Sequence, residues 1–139
     1  MKTKILSLII LAVIQAGCTT YKDVSTKGEF SSYVGSNIKT SQDLYLYKDN
    51  DDPVLAPYFL TKWQFIGIPY YVHIAKVQAG TPLNISRIIR ERSGNGNTYY
   101  VYLGTIIINN TSYVFESYAK VCSPYYGTET YQYFTIVPE

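Results

Sequence analysis

Two side chains in this sequence have the chemistry of a nucleophile and its base. Cys122 carries a thiol, and His73 is the single imidazole. A cysteine attacks as the thiolate, and an imidazole within hydrogen-bond reach can generate it. Nothing in the chain spacing brings these two together. The residues alone favour a strand histidine half-buried among aromatics and a cysteine serving as a small buried hydrophobe. Zinc usually takes three or four Cys, His or carboxylate ligands, which one His and one spare Cys do not supply. Asp49-Asn50-Asp51-Asp52 is the nearest approach to a cation loop. A calcium loop of the EF-hand kind needs ligands at alternate positions, then Gly, then a distant Glu. Here Pro53 takes a ligand position and no Gly follows, so a solvated turn is expected. There is no phosphate loop and no nucleophile elbow, and Gly94-Asn95-Gly96 lacks the strand-to-helix setting of a dinucleotide fingerprint. No metal, cofactor or catalytic residue is expected.

Tyrosine is the surplus that remains. The chain holds 16 Tyr, all beyond residue 18. Tyr presents an apolar ring with a polar tip and serves binding surfaces at low entropy cost. Three doublets stand out: Tyr70-Tyr71, Tyr99-Tyr100 and Tyr125-Tyr126. Successive strand residues point to opposite faces, so each doublet is expected to put one ring inside and one outside. These six residues are the candidate binding surface, suited to a glycan, a peptide or a protein partner. The competing reading is that they fill strand positions at the rim of a small barrel.

The elements that would position these groups are strands. Tyr, Ile, Val, Thr and Phe dominate the periodic segments, and no window sustains an i, i+3, i+4 apolar pattern. Strands are expected at 44–48, 70–78, 83–92, 98–108, 111–118 and 131–137. Turns fall at 79–82, at the Gly-rich 93–97 and at Asn109-Asn110. Arg87 and Ile88 break the alternation of their strand, which predicts a bulge there. Segment 98–108 is apolar on both parities and should be central, with both faces covered. Pro53, Pro57 and Pro69 forbid a regular central strand through all of 53–69. Residues 119–130, with Pro124 and Gly127, read as loop. Short strands joined by hairpins imply an all-β domain, a small antiparallel barrel or sandwich.

The N-terminus carries the address. Lys2 and Lys4 precede ten uncharged residues, 5–14, and Gln15-Ala16-Gly17-Cys18 follows. That order is a secretory signal peptide, and its apolar run is shorter than the roughly 20 residues a membrane-crossing helix needs. Gln15-Ala16-Gly17-Cys18 resembles the lipobox of bacterial lipoproteins, with Gln15 where Leu is usual. The resemblance implies cleavage after 17, lipid such as palmitate on Cys18, and anchorage to the membrane of the bacterial cell envelope. Thr19 after Cys18 implies the outer membrane, facing the periplasm. The expected organisation is a signal peptide at 1–17, a lipidated cysteine and flexible tether at 18–29, and one β-domain at 30–139. If Cys18 is lipidated, Cys122 has no partner within the chain; without lipid, a Cys18–Cys122 disulfide is open.

Removing Lys2 and Lys4 reduces the 12 Lys+Arg to 10, equal to the 10 Asp+Glu. A formally neutral domain has no strong electrostatic claim on nucleic acid. The segment Gly80-Thr81-Pro82-Leu83-Asn84-Ile85 resembles one found in bacterial SH3-like barrel domains. Small barrels host many functions, so this resemblance bears on fold. The sequence therefore points to a lipid-anchored, non-enzymatic envelope protein that binds a protein or cell-wall partner. A structural accessory subunit of an envelope assembly is the alternative. A thiol-dependent enzyme or hydrolase ranks third, since it lacks a catalytic constellation.

Overall fold

The computed structural model describes residues 18–138, so the expected signal peptide lies outside the described residues. Ten strands make one all-β sheet, and the described residues contain no α-helix. In chain order the strands are β1 (Thr20–Asp23), β2 (Ile38–Thr40), β3 (Leu44–Asp49), β4 (Tyr58–Thr61), β5 (Tyr71–Val77), β6 (Pro82–Arg92), β7 (Thr98–Ile108), β8 (Thr111–Ser123), β9 (Gly127–Thr130) and β10 (Phe134–Ile136). The main path runs β10-β2-β6-β7-β8-β4-β3-β5, curled into a half-barrel.

The frame is the three long strands β6, β7 and β8. Their β-branched and aromatic residues suit a pleated surface, and two tight turns join them. Asn109 and Asn110 both take left-handed backbone angles, φ 50° and 63°, as a two-residue hairpin of the primed type requires. Ser93 closes the β6–β7 hairpin by donating its N–H to Asn97 O at 2.9 Å. The outer edges of this frame are each shared by two short strands. β6 receives β2 at Leu83 and β1 at residues 89–92. β8 receives β4 at Phe115 and β9 at residues 120–123. The β4–β8 pairing is parallel, and the other pairings are antiparallel.

Three register shifts bend the sheet. They lie between Ile85 and Arg87, between Tyr100 and Val101, and between Leu46 and Tyr47. Each leaves one unpaired residue and increases the local twist, which curls the sheet around its apolar face. The first sits where the alternation of β6 breaks in the sequence. The curl encloses a cluster that includes Leu44, Leu46, Leu60, Ile85, Ile106 and Phe115, all fully buried.

Several boundaries differ from the sequence reading. Most of the expected tether, 18–29, is built into the domain. β1 pairs with the open edge of β6 over four residues, Val24 is buried, and its N–H donates to Ile88 O at 2.9 Å. A single 3-10 turn, Gly28–Phe30, then buries Phe30, whose ring stacks on Tyr100 at 5.0 Å. Polar composition concealed this because an edge strand needs few apolar residues when its backbone groups are paired. Residues 119–130 are also mostly strand: β8 continues to Ser123, and β9 pairs back onto it. The last expected strand shortens to β10. β7 is central, but only part of it is covered on both faces. Val101 on the outer parity is 2% exposed, whereas Ile107 on the same parity is 67% exposed. The Gly80–Ile85 segment makes a turn into β6, and the likeness to SH3-like barrels rests on that segment alone.

Candidate ligand cleft

The half-barrel opens into a cleft of about 450 Å³ beside β8. Its floor comes from Val101 on β7 and from Glu116, Ser117 and Tyr118 on β8. Ser117 is buried and donates its hydroxyl to Leu60 O at 2.7 Å, which ties β8 to β4 and fixes the floor. Glu116 holds one wall. Its Oε2 accepts the backbone N–H groups of Leu55 and Ala56, each at 3.0 Å. Those two bonds hold the proline-bounded loop before β4, where no strand partner satisfies the amides.

The opposite wall is aromatic. Phe59, Phe65 and Tyr71 pack mutually, with centroids 4.8 Å apart for Phe59–Tyr71 and 5.2 Å for Phe65–Tyr71. Tyr47 lies behind them, buried, 5.4 Å from Phe59, and its hydroxyl accepts the Phe65 N–H at 2.9 Å. Trp63, Tyr131 and Tyr133 extend the lining, and the last two pack at 5.4 Å. Asp49 and Asp52 complete the rim. Among the described residues, no Lys, Arg, His or Cys lines the cleft.

The electrostatics follow from that inventory. Burial pushes the Glu116 carboxyl above the ordinary range; the two N–H bonds oppose the shift, and Glu91 and Asp49 add to it. Burial raises the Tyr118 phenol to about 12, with the Glu116 charge contributing. Tyr71 is raised by burial and then by Asp49. Desolvation leads in all three, and the smaller coulombic contributions, from Asp49, Glu91 and Glu116, are those of neighbouring negative charges.

The tyrosines expected to form a binding surface divide. Tyr71 lines the cleft, and Tyr70 stands beside it, edge to face at 4.7 Å and largely exposed. Tyr99 reaches the cleft indirectly, packing on Tyr118 at 5.6 Å. Tyr100 packs on the core against Phe30. Tyr125 and Tyr126 lie elsewhere, in the turn between β8 and β9. The six therefore do not form one surface. Tyr99-Tyr100, within β7, places its members differently, as strand alternation requires, whereas Tyr70 lies in the turn before β5.

His73 and Cys122 are not brought together. His73 is exposed on β5, its ring 5.5 Å from Tyr47, rather than half-buried. Cys122 is half-buried on β8, opposite Thr98 and Thr128. β8 and β5 are separated in the sheet by β4 and β3, and no hydrogen bond joins the two residues. The acidic turn is solvated as expected, with Asn50, Asp51 and Asp52 exposed, and it also borders the cleft. Asp51 N donates to Asp49 Oδ1 at 2.9 Å, and Asp49 and Asp52 flank the cleft. Among the described residues, no three His, Cys or carboxylate side chains converge as metal ligands.

Sequence reasoning missed Glu116, the residue that organises the cleft. A signal was present: Val114-Phe115-Glu116-Ser117-Tyr118 places one carboxylate among apolar, aromatic and uncharged neighbours in a strand. Charged residues are seldom buried without partners, so that position asked for some. No protein family, curated protein or solved structure matches the chain.

Proposed function

We propose that this chain is a lipid-anchored binding protein of the bacterial cell envelope, held by lipid on Cys18, with its ligand in the cleft beside β8. The observation that carries the binding role is the cleft's construction. Aromatic side chains face a carboxylate held in place by two backbone N–H groups. Concave aromatic sites with a few fixed polar groups are where small ligands and short segments bind. The basic, apolar and lipobox-like order of residues 1–18 supports the anchor. A protein or cell-wall partner, reached from the outer membrane on its periplasmic side, fits this reading.

The accessory-subunit alternative draws on a different feature. β5 ends the strand path, and Val72 on it is exposed, so that edge can accept a strand from another chain.

Two experiments test the proposal. Metabolic labelling with a palmitate analogue should mark the wild type and not Cys18→Ser; equal labelling would remove the anchor. Crosslinking in the native envelope should lose its product in Trp63→Ala, which alters the cleft. Retention there, with loss in Val72→Pro on β5, would favour the accessory role.

A further inference from the structure

We infer that the cleft takes an organic cation: a ligand presenting a primary ammonium or a guanidinium group. The inference rests on the proposed binding role and names the ligand class for that site.

Charge complementarity is the first argument. Three carboxylates, Asp49, Asp52 and Glu116, line the cleft, and among the described residues no basic side chain does. Both backbone N–H bonds to Glu116 fall on Oε2, so Oε1 is the atom left to face a ligand. A bound cation would turn Glu116 from a partly buried charge into half of an ion pair, repaying its desolvation.

The second argument comes from the aromatic wall. A cation over an aromatic face is attracted by the ring quadrupole, most strongly over Trp. The protein already shows this on the rings of the cleft. Lys62 Nζ lies 4.6 Å from the Trp63 centroid and 5.6 Å from that of Tyr131. Both rings line the cleft, whereas Lys62 does not. The same two rings thus attract an ammonium at the margin of the cleft and line the space that the three carboxylates share.

The cation can come from a free amine or from a lysine or arginine side chain in a peptide. At about 450 Å³ the cleft has room for either. Trp63 is the single Trp of the chain and 54% exposed, so its emission reports occupancy.

The test titrates the purified full chain and follows Trp63 fluorescence. The probes are cadaverine, the tripeptide Ac-Ala-Lys-Ala-amide, its norleucine counterpart, 1-pentanol, succinate and chitobiose. Saturable changes are expected with one or both amines and not with norleucine peptide, pentanol or succinate. Tighter binding of cadaverine assigns a free amine; tighter binding of the lysine peptide assigns a side chain. Glu116→Gln, which can still accept the Leu55 and Ala56 N–H groups, should weaken amine binding about tenfold. Asp52→Asn, on the exposed rim, should weaken it less, and Lys62→Gln should strengthen it. Amine binding unchanged in both carboxylate variants would overturn the inference, as would equal binding of the neutral analogues. Chitobiose binding without amine binding would also overturn it while leaving the cleft as the binding site. Binding of none of the probes would remove the cation inference, and loss or retention of the envelope crosslink in Trp63→Ala would then decide the binding role separately.

Discussion

Gly104 on β7 lies so close to Asn84 on β6 that no other residue fits without movement. A Cβ built on Gly104 would stand 2.2 Å from the backbone oxygen of Asn84 and 3.0 Å from the Phe115 ring. The backbone angle is not the cause, since Gly104 is not among the glycines with positive φ. The cause is packing: β6 bends over β7 one step from its register shift, and the bend brings a carbonyl onto the α-carbon.

Gly104→Ala should therefore lower stability by about 1–3 kcal/mol, the usual cost of overpacking a core. Denaturant unfolding of the full chain measures it. Because the obstructing atom belongs to backbone, a rotamer change cannot relieve the clash. An alanine variant as stable as the wild type would show that the bend in β6 is compliant.

The first strand depends on an exposed charge cluster. Asp23 Oδ1 accepts from Ser25 N at 2.9 Å and from Ser25 Oγ at 2.6 Å, and Asp23 Oδ2 accepts from Arg87 Nε at 3.0 Å. Hydrogen bonds from Ser25, and then from Arg87, lower the Asp23 carboxyl to about 2. A lowered carboxyl stabilises the folded form above its ordinary value, and that contribution is lost as pH falls toward 2. Protection factors for the amides of β1 should drop over that interval. Asp23→Asn should show weakened protection at pH 7 and no such step. The groups are solvated, so added salt should shrink the Arg87 part of the effect.

The fold was legible where two residues at a time could be weighed. β7 has its expected bounds, because Thr98 follows a Gly-Asn turn and Ile108 meets Asn109-Asn110. The bulge beside Arg87 showed itself as broken alternation. β1 was not legible: Thr20, Tyr21, Lys22 and Asp23 are all exposed, and what recruits them is the open edge of β6. Edge pairing is satisfied by backbone groups and leaves no mark on side-chain composition. β9, with four exposed residues, was missed for the same reason.

The cleft was legible only in part. Tyr71 belonged to a doublet that the sequence marked, while Trp63 and Phe65 sat in a proline-bounded segment that could form an irregular strand or cover the end of the core. Their convergence depends on the parallel β4–β8 pairing, a contact between distant segments that no local pattern encodes. Asp49 and Asp52 read as a turn because their partner in the cleft, Glu116, lies on another strand.

Glu116 should affect stability with the opposite sign to Asp23. Its carboxyl is raised, chiefly by burial, so the folded state holds the proton more tightly than the unfolded one. Its contribution therefore favours folding at low pH and fades as pH rises through the ordinary carboxyl range and beyond. Glu116→Gln keeps an acceptor for Leu55 and Ala56 and removes the buried charge. In the absence of ligand, the variant should be at least as stable as the wild type at pH 7, with a flatter dependence between pH 4 and 7. Thermal unfolding across that range measures it; a variant much less stable at pH 7 would mean that the charge strengthens the two N–H bonds more than burial penalises it.

The proposed anchor fixes which end of the sheet meets the membrane. Cys18 stands two residues before Thr20, the first paired residue. Thr20 lies opposite Arg92, Arg92 opposite Thr98, Thr98 opposite Cys122, and Cys122 opposite Thr128. The hairpin at 93–97 and the turn at 124–126 therefore share the end from which Cys18 departs. They also lie close together: a Cβ on Gly96 would meet the Pro124 ring at 3.4 Å. Two extended residues reach about 7 Å, so lipid on Cys18 would hold this end at the bilayer surface. Tyr125 and Tyr126, 78% and 94% exposed, are at that end. Tyrosine rings favour the membrane interface, where the ring meets acyl chain and the hydroxyl meets water. The expected outcome is read by fluorescence on the lipidated full chain in vesicles with brominated acyl chains, on a Trp63→Phe background. Tyr126→Trp should be quenched, and the quenching should vanish with Cys18→Ser. Ile107→Trp, about 30 Å along β7 near the opposite turn, should be unaffected. Equal quenching at both positions would mean that the sheet lies flat on the membrane and that the two residues before β1 do not set its orientation.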